Sequence, residues 1–420
     1  MTLVLEEVSL STYERFIADH HPRVFLPQTP EYVRSRQAKD SRIETVALRT
    51  ATGQIRGVAA IYFQPWRRVF YRAHVTYGPL LDTNDDPQLL GQFAAQLESY
   101  VKRDKRVLSL RINPLIARAF YRDIELVEEN PHAKAADEVL KSAGFTRITE
   151  EFYQRSDVQI RFIYTKDIAH LDFEEALASL AKGLRRRFRA PARYGIEVRF
   201  VGPEQFGDFL SLYELTAERN DMSALSGSSI TLYKDLMEEF DSDHSVLCIA
   251  YYSPQRHRDH IDQELAEIQA RQREVSARKE TKAQLRELAD LATRTAGLET
   301  QRELAAQFEQ LAGHSGDVPV NSALGYAIGD ELLLLLGAMN KEYHPVLRDY
   351  PVEAALFKWA VEHNIATYNT FGISGVFDES APDANILRFK QWLNGNVEEF
   401  IGSYEKVLHR NMGKLAGVGV

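Results

Sequence analysis

Residues 254–312 constrain the fold of this chain more than any other stretch. They are charged, rich in Gln, Glu, Arg and Ala, and nearly free of aromatic side chains. Neither Gly nor Pro falls between Pro254 and Gly297, so nothing breaks a helix begun at Pro254. Ile261, Leu265, Ile268 and Val275 recur at spacings of four, three and seven, one apolar seam along a helix. Leu285, Leu288 and Ala292, then Leu304, Phe308 and Leu311, predict a second seam. The polar residues Arg278 to Lys282 predict the tip of an antiparallel helical hairpin with arms of similar length. A tip at Gly297 would leave the arms badly mismatched.

The flanks say where this arm is inserted. Ser245 to Tyr252 reads as a strand, and so do Ser322 to Gly329 and Glu331 to Gly337. The arm therefore replaces a β-turn. Two uses stay open from the residues: reaching a distant partner, or a coiled coil for self-association.

Length suggests two domains with an insertion. The net charge of −9 gives no bulk attraction to nucleic acid, so any such contact is local. The single cysteine, Cys248, sits in an apolar strand, permits no internal disulfide and fits a reducing compartment. The first ten residues lack the apolar core of a signal peptide, and no apolar run is long enough to span a bilayer. The expected location is the cytoplasm, with any membrane contact peripheral.

Along the chain, strand, helix, hairpin, helix and strand occur twice. The hairpin Glu44 to Phe63 matches the one that carries the arm. Leu97 to Pro114 matches Phe357 to Gly372. Phe173 to Tyr194 is expected to be largely helical, Gln159 to Tyr164 a strand, and Glu398 to Leu408 a closing strand. The pattern predicts a duplicated α/β (α+β) domain with helices over a mostly antiparallel sheet in each half. The division is 1–155, then 156–253 with 313–410, then 254–312 as the arm. Residues 411–420 are expected to be a flexible tail outside the fold, and the last elements of the second domain are allowed to pack on the first.

The most basic segment runs from Lys182 to Arg193, with Arg185, Arg186, Arg187 and Arg189 between them. It suits phosphates, or else a solvated helix face. Arg219 ends a helix before a Ser/Gly loop, where an arginine fork can clamp an oxyanion. Gly372 and Gly375 follow a strand and allow a ligand close to the backbone. Lys390 lies shortly downstream, where its charge could meet a developing oxyanion. No Walker, GxGxxG, GxSxG, HExxH or CxxC pattern occurs, so neither a metal nor a covalent nucleophile is expected.

In order along the chain, several short motifs resemble one family. They are Gln28-x-x-x-Tyr32-x-x-x-Arg36, Tyr77-Gly-Pro79, Arg111-Ile-Asn-Pro114, Gly144-Phe145, Leu184 to Ile196, Thr216 to Asn220, Gly372-Ile-Ser-Gly375 and Arg388-Phe-Lys390. With the inserted helical hairpin, this series resembles the Fem-type (FemABX) peptidoglycan interpeptide-bridge aminoacyltransferases over nearly the whole chain. The resemblance implies two tandem acetyltransferase-like (GNAT-like) domains with an antiparallel coiled-coil arm. It implies transfer of an amino acid from aminoacyl-tRNA, as co-substrate and without a cofactor, to the stem peptide of lipid II or its UDP-linked precursor. On that reading Lys390 is catalytic, and Tyr32, Arg36, Arg219 and Asn340 bind the precursor. Arg185, Arg186, Arg189 and Arg193, with the arm, meet tRNA. Further partners are the inner face of the membrane and a sister subunit. The chain departs from the family where Tyr32 and Arg36 replace its usual Trp and Lys, and where Leu335-Leu336 precede Gly337 in place of an aromatic. Two alternatives stand beside this reading: a GNAT-like acyltransferase with a small-molecule donor, and a non-catalytic coiled-coil interaction protein.

Overall fold

The computed structural model describes residues 3–20, 23–37, 39, 41–83, 86–155, 157–190, 195–220 and 222–409. Arg193 and the tail 411–420 lie outside the described residues.

The first half runs β1 (Leu3–Glu7), α1 (Leu10–His20), α2 (Pro30–Gln37), β2 (Ile43–Thr50), β3 (Ile55–Trp66), β4 (Phe70–Val75), β5 (Leu80–Leu81), α3 (Pro87–Val101), β6 (Val107–Ile112), β7 (Ala117–Arg122), β8 (Glu125–Glu129), α4 (Pro131–Ser142) and β9 (Thr146–Arg147). The second half begins with β10 (Phe162–Asp167), α5 (Phe173–Ala178), α6 (Lys182–Phe188), β11 (Ile196–Val201), α7 (Phe206–Arg219), α8 (Gly227–Glu239) and β12 (Ser245–Tyr252). The arm is α9 (Pro254–Ser276) and α10 (Lys282–Ala312). Then follow β13 (Val318–Ile328), β14 (Glu331–Met339), α11 (Pro351–Glu362), β15 (Thr367–Ile373), α12 (Ala384–Gln391), β16 (Asn396–Phe400) and β17 (Tyr404–Val407).

Two sheets result, and each contains one parallel pair among antiparallel neighbours. The first is ordered β1-β2-β3-β4-β6-β17-β9, with β5 on β3 and with β4 parallel to β6. The second is ordered β11-β12-β13-β14-β15-β10-β16-β7-β8, with β14 parallel to β15. Helices α3 and α4 cover one face of the first sheet and α1 with α2 the other. In the second sheet α5, α6, α11 and α12 pack on one face and α7 and α8 on the other.

The halves exchange strands. The hairpin β7–β8, early in the chain, extends the second sheet through β16. The last strand, β17, inserts between β6 and β9 of the first. The stretch Glu398 to Leu408, expected as one strand, is therefore two strands in different sheets. Gly402 sits between them at φ 94, a conformation that favours glycine. The β7–β8 hairpin was not anticipated, and β10 starts at Phe162, later than expected.

Arg23, between α1 and α2, ties the halves together. Its Nε and Nη2 donate to Glu331 on β14 at 2.9 and 3.0 Å, and its Nη1 to Glu398 on β16 at 2.6 Å. The guanidinium also lies 5.2 Å from the Phe25 ring and 5.9 Å from the Phe400 ring. Burial works against its charge, but the two carboxylates outweigh that and leave its pKa raised.

The stretch from Phe173 to Tyr194, expected to be largely helical, holds two short helices. Asp172 and Glu175 form a capping box that starts α5, and the chain breaks at Ser179 before α6. Tyr194 lies outside the described residues.

The arm turns at 277–281, one residue ahead of the tip expected at 278–282. Thr281 and Gln284 form a second capping box, and Gln284 Nε2 reaches back to the Val275 carbonyl at 2.8 Å. Ile261, Leu265, Ile268 and Val275 are buried along α9, each contributing about 2 kcal/mol of apolar burial. The seam on α10 is Leu291, Ala305 and Phe308, with Leu288 and Leu304 half-buried. Leu285 and Leu311, predicted to face inward, are half-exposed to solvent. The reason is phase: buried Gln284 and Leu291 set a register one residue away from Leu285 and Ala292.

At the arm's root the Tyr252 ring meets Phe308 edge-on, with centroids 5.2 Å apart, and Phe308 lies tilted against Tyr343 at 4.7 Å. The Tyr252 hydroxyl bonds to Nδ1 of buried His257 at 2.8 Å. Gly195, at φ 72, presses on this root: a Cβ there would meet the Ser253 carbonyl oxygen at 2.5 Å. No helix among the described residues is long and apolar enough to cross a membrane.

Candidate active site

β14 and β15 pair only over Glu331–Leu333 and Thr367–Asn369, then part. At the parting, β15 bulges. Ile163 pairs with Gly372 and Thr165 with Asn369, so Thr370 and Phe371 together face Tyr164. Such bulges re-aim side chains beside functional sites. Phe371 has φ 60, a left-handed conformation that costs a bulky residue about 1 kcal/mol or more.

Two side chains hold that backbone. Asn369, fully buried, accepts from the Phe371 N–H through Oδ1 at 2.7 Å. Its amide nitrogen donates to Glu331 at 2.5 Å, and Glu331 is the carboxylate that Arg23 grips. From below, Lys390 Nζ donates to the carbonyl oxygens of Thr370, Phe371 and Gly372 at 2.8, 3.1 and 2.8 Å. An ammonium has three N–H bonds, and here all three go to the backbone. Burial pushes the Lys390 pKa down to about 7, against the pull of Asp383. Asp383 is itself fixed by Ser374, whose N–H and hydroxyl donate to it at 2.8 and 2.5 Å.

On the interdomain side Phe371 joins a cluster with Tyr32, Tyr213, Ala217, Tyr233, Leu335 and Leu336. Tyr32 and Arg36, one turn apart on α2, come here because α2 packs on α8. The Tyr32 ring meets Tyr62 edge-on, with centroids 5.8 Å apart. Burial raises the hydroxyl pKa values of Tyr32 and Tyr62, with the nearby Arg36 charge opposing. Tyr233 is pushed up to about 12, again by burial. The Arg36 Nε is buried and has no hydrogen-bond partner, so the cation is available to an anionic ligand.

Arg219 ends α7 beside the end of β14, where its Nη1 and the Thr216 hydroxyl both donate to the Met339 carbonyl at 3.2 Å. Asn340 comes next, but its Oδ1 caps the following turn by accepting from the Glu342 N–H. Tyr32 shares a cluster with Phe371, Lys390 holds the Phe371 backbone, and Arg219 and Asn340 stand at the end of β14. Arg185, Arg186 and Arg189 are elsewhere. Arg185 and Arg186 lie on α6 and Arg189 caps its end, on the sheet face that α12 shares and opposite α7 and α8, and Arg186 and Arg189 line a cavity beside the arm's root. Arg185 donates to the Ala178 carbonyl at 3.3 Å, and Arg189 pairs with Glu174.

A crevice of ≈ 1290 Å³ contains none of these residues. It opens at the other end of β14 and β15, between α1, α2, α8 and the β7–β8 hairpin. Arg23, Glu331 and Glu398 form part of its wall, and its carboxylates outnumber its arginines. Sequence reading also missed Tyr62, Tyr233, Asn369 and Arg23. Cys248 is fully buried, and burial raises its pKa, which leaves the thiol inert.

Fold and site together define a mixed α/β protein of two sheets that exchange strands. Its candidate site presents the Arg36 guanidinium, whose Nε has no partner among the described residues, and several tyrosines beside a strained strand end held by a buried lysine. The sequence matches the FemAB family over residues 8–416, and the chain belongs to that family. It is 23% identical over 383 residues to aminoacyltransferase FemA of Staphylococcus epidermidis, covering 89% of each chain. To aminoacyltransferase FemA of Staphylococcus aureus it is 21% identical over 399 residues, covering 93% of this chain and 92% of that one. The fold is that of a crystal structure of FemX, with a TM-score of 0.75, 19% identity and 98% of this chain covered against 99% of the other.

Proposed function

We propose that this chain transfers an amino acid from aminoacyl-tRNA to the side-chain amine of the stem peptide in a peptidoglycan precursor, lipid II or its UDP-linked form. Family membership and the aminoacyltransferase relatives support the class of enzyme. The observation that carries the acceptor reading is Arg36. Its buried Nε is without a partner among tyrosines at the interdomain cluster, which suits a diphosphate linked to a sugar.

The reaction is aminolysis of an ester. The acceptor amine loses a proton and attacks the aminoacyl carbonyl, the carbonyl oxygen takes up charge, and the C–O bond to the ribose breaks. The ribose oxygen leaves with a proton and an amide remains. Lys390 contributes through its charge and by fixing the Phe371 backbone, since its three N–H bonds already go to carbonyl oxygens. That makes it a positioning residue. Arg36 and Arg219 bind the precursor's phosphates, Tyr32 packs beside them, and Asn340 acts through the cap it forms. The α6 arginines meet the RNA of the donor. A lipid-linked acceptor would bring the chain to the inner membrane face through its substrate.

The reading with a small-molecule acyl donor keeps one observation in its favour. Each half has one parallel strand pair in an otherwise antiparallel sheet, and in the second half that pair parts at its end, an acetyltransferase-like arrangement. Calorimetry with acetyl-CoA separates the two. Heat of binding at micromolar concentration favours the small donor. No heat, together with amino-acid transfer from charged tRNA, favours the proposal.

A further inference from the structure

The second sheet ends in a strand with no outer neighbour. β8 pairs with β7 on one side, and no described strand lies on the other. All five of its residues are exposed. Leu126 is 55% exposed and Val127 62%, and Phe120 on β7 is 41% exposed, so apolar surface lies open along this hairpin. Natural edge strands are commonly guarded by charge. Here Glu125, Glu128 and Glu129 supply charge of one sign, and none of the three forms an ion pair among the described residues. Such an edge repels its like and admits its opposite.

The same sign continues inward. Phe120 and Val127 form part of one wall of the ≈ 1290 Å³ crevice, whose lining holds seven carboxylates against two arginines, Arg23 and Arg122. Glu331 and Glu398 share Arg23, and Glu14 and Glu239 share Arg34. Asp241 pairs with His244. Glu31 and Asp330 form no ion pair among the described residues. Arg122 stands opposite Glu125 in the hairpin register. Among the described residues no three carboxylate, histidine or cysteine side chains converge closely enough to hold a metal ion. The negative charge is therefore spread along the walls and not focused on a point.

The occupant that fits is extended, cationic and able to offer backbone hydrogen bonds. A second copy of this chain fails on charge, because β8 against β8 would set three glutamates from each copy in one ladder, where like charges oppose pairing. Nucleic acid and anionic bilayers fail for the same reason. We infer that the β8 edge and the crevice beside it dock a basic, extended segment of a partner protein, which joins the sheet as a further strand. Backbone hydrogen bonds hold it along β8, a length of about 17 Å at about 3.4 Å per residue. Its apolar side chains cover Leu126, Val127 and Phe120, and its lysines or arginines face the carboxylates of edge and crevice. The crevice lies at the opposite end of β14 and β15 from Phe371, so this partner is separate from the proposed substrates.

The probe is a blocked peptide, Thr-Lys-Leu-Val-Lys-Lys-Thr, which keeps the β8 pattern with lysine for each glutamate. Its control is Thr-Glu-Leu-Val-Glu-Glu-Thr. Two further versions keep the lysine sequence and carry N-methyl groups on alternate backbone nitrogens, odd in one and even in the other. Anisotropy of the labelled peptide with the full chain reads affinity, and hydrogen exchange of residues 125–129 reads strand pairing. The lysine peptide should bind and slow exchange along β8, and the glutamate control should not bind. At least one N-methyl version should bind about tenfold or more weakly, having lost backbone hydrogen bonds. E125K/E128K should weaken binding about tenfold or more. The milder E125Q/E128Q should fall between and guards against misfolding. No binding at millimolar peptide overturns the inference, and so does binding that leaves β8 exchange unchanged. Equal affinity for both N-methyl versions, or full affinity in E125K/E128K, would mean attraction without a strand and also overturns it. Slowed β8 exchange on concentrating the chain alone would make the occupant a second copy, against the inference.

Discussion

Lys390 Nζ lies 2.8 Å from the Gly372 carbonyl oxygen and binds the two preceding carbonyls as well, so a buried cation holds the bulged end of β15 in place. The arrangement works only while the lysine is charged. Burial brings its pKa to about 7, so the charge is present below that pH and lost above it. Activity should fall as pH rises through about 7. In Lys390→Arg, which keeps a cation at all accessible pH values, that falling limb should disappear, even if the rate is lower. Lys390→Met should cost about a hundredfold or more in kcat with little change in KM. A pH–rate profile for the three proteins checks this. An unchanged limb in the arginine variant would refute it.

Arg36 supplies a cation that no described side chain neutralises. Arg36→Ala should raise KM for the precursor by about 10- to 100-fold, the worth of a charge-assisted hydrogen bond, and leave kcat nearly unchanged. Arg36→Lys should recover part of the loss. Initial rates at varied precursor concentration read both. A defect confined to kcat would remove Arg36 from the binding site.

Arg23 answers two carboxylates from the other sheet. Arg23→Met leaves Glu331 and Glu398 facing each other at the domain contact. Removing one partner of a buried pair costs about 3–5 kcal/mol. Arg23 is about one-third exposed, so about 2 kcal/mol is the expected loss here, once solvent screening is allowed for. Adding E331Q and E398Q should recover part of it, readable by denaturant unfolding. The single variant should also lower kcat, because Asn369 links Glu331 to the Phe371 backbone.

His257 is buried at the arm's root, and burial lowers its pKa to about 4, with His260 adding to the effect. Between about 6.5 and 4 the unfolded chain binds a proton that the folded chain does not. Stability therefore falls as pH drops through that window, by at most about 1.4 kcal/mol per pH unit. Thermal melts of His257→Gln should show a flatter acid limb than the unaltered chain.

What the sequence revealed followed from how local its signals were. The arm and its turn are set by helix caps, seam spacing and missing breakers within sixty residues, so they could be read. The order of strands in the second sheet around the arm followed from hairpins. The β7–β8 hairpin could not be read, because all five positions of β8 are exposed and show no alternation. Its first strand, β7, pairs with a segment almost 280 residues later. The split of β16 from β17 has the same cause. The family motifs singled out Lys390, Arg36 and Tyr32 as candidates. Asn369 and Arg23 were not singled out, because their meaning comes from partners on other strands. Lys390 also shows what a motif leaves out: it marked the residue, and only the three carbonyls show that the lysine holds the backbone.

Amino-acid transfer itself is tested by the mass of the acceptor. The purified chain is mixed with a pool of charged tRNAs and the UDP-linked pentapeptide, then with lipid II in a parallel reaction, and the precursor is weighed. A gain of one or more amino-acid residues, abolished by pretreating the pool with ribonuclease, is the expected result and names the donor. No gain on either acceptor, with every tRNA charged, would refute the transfer.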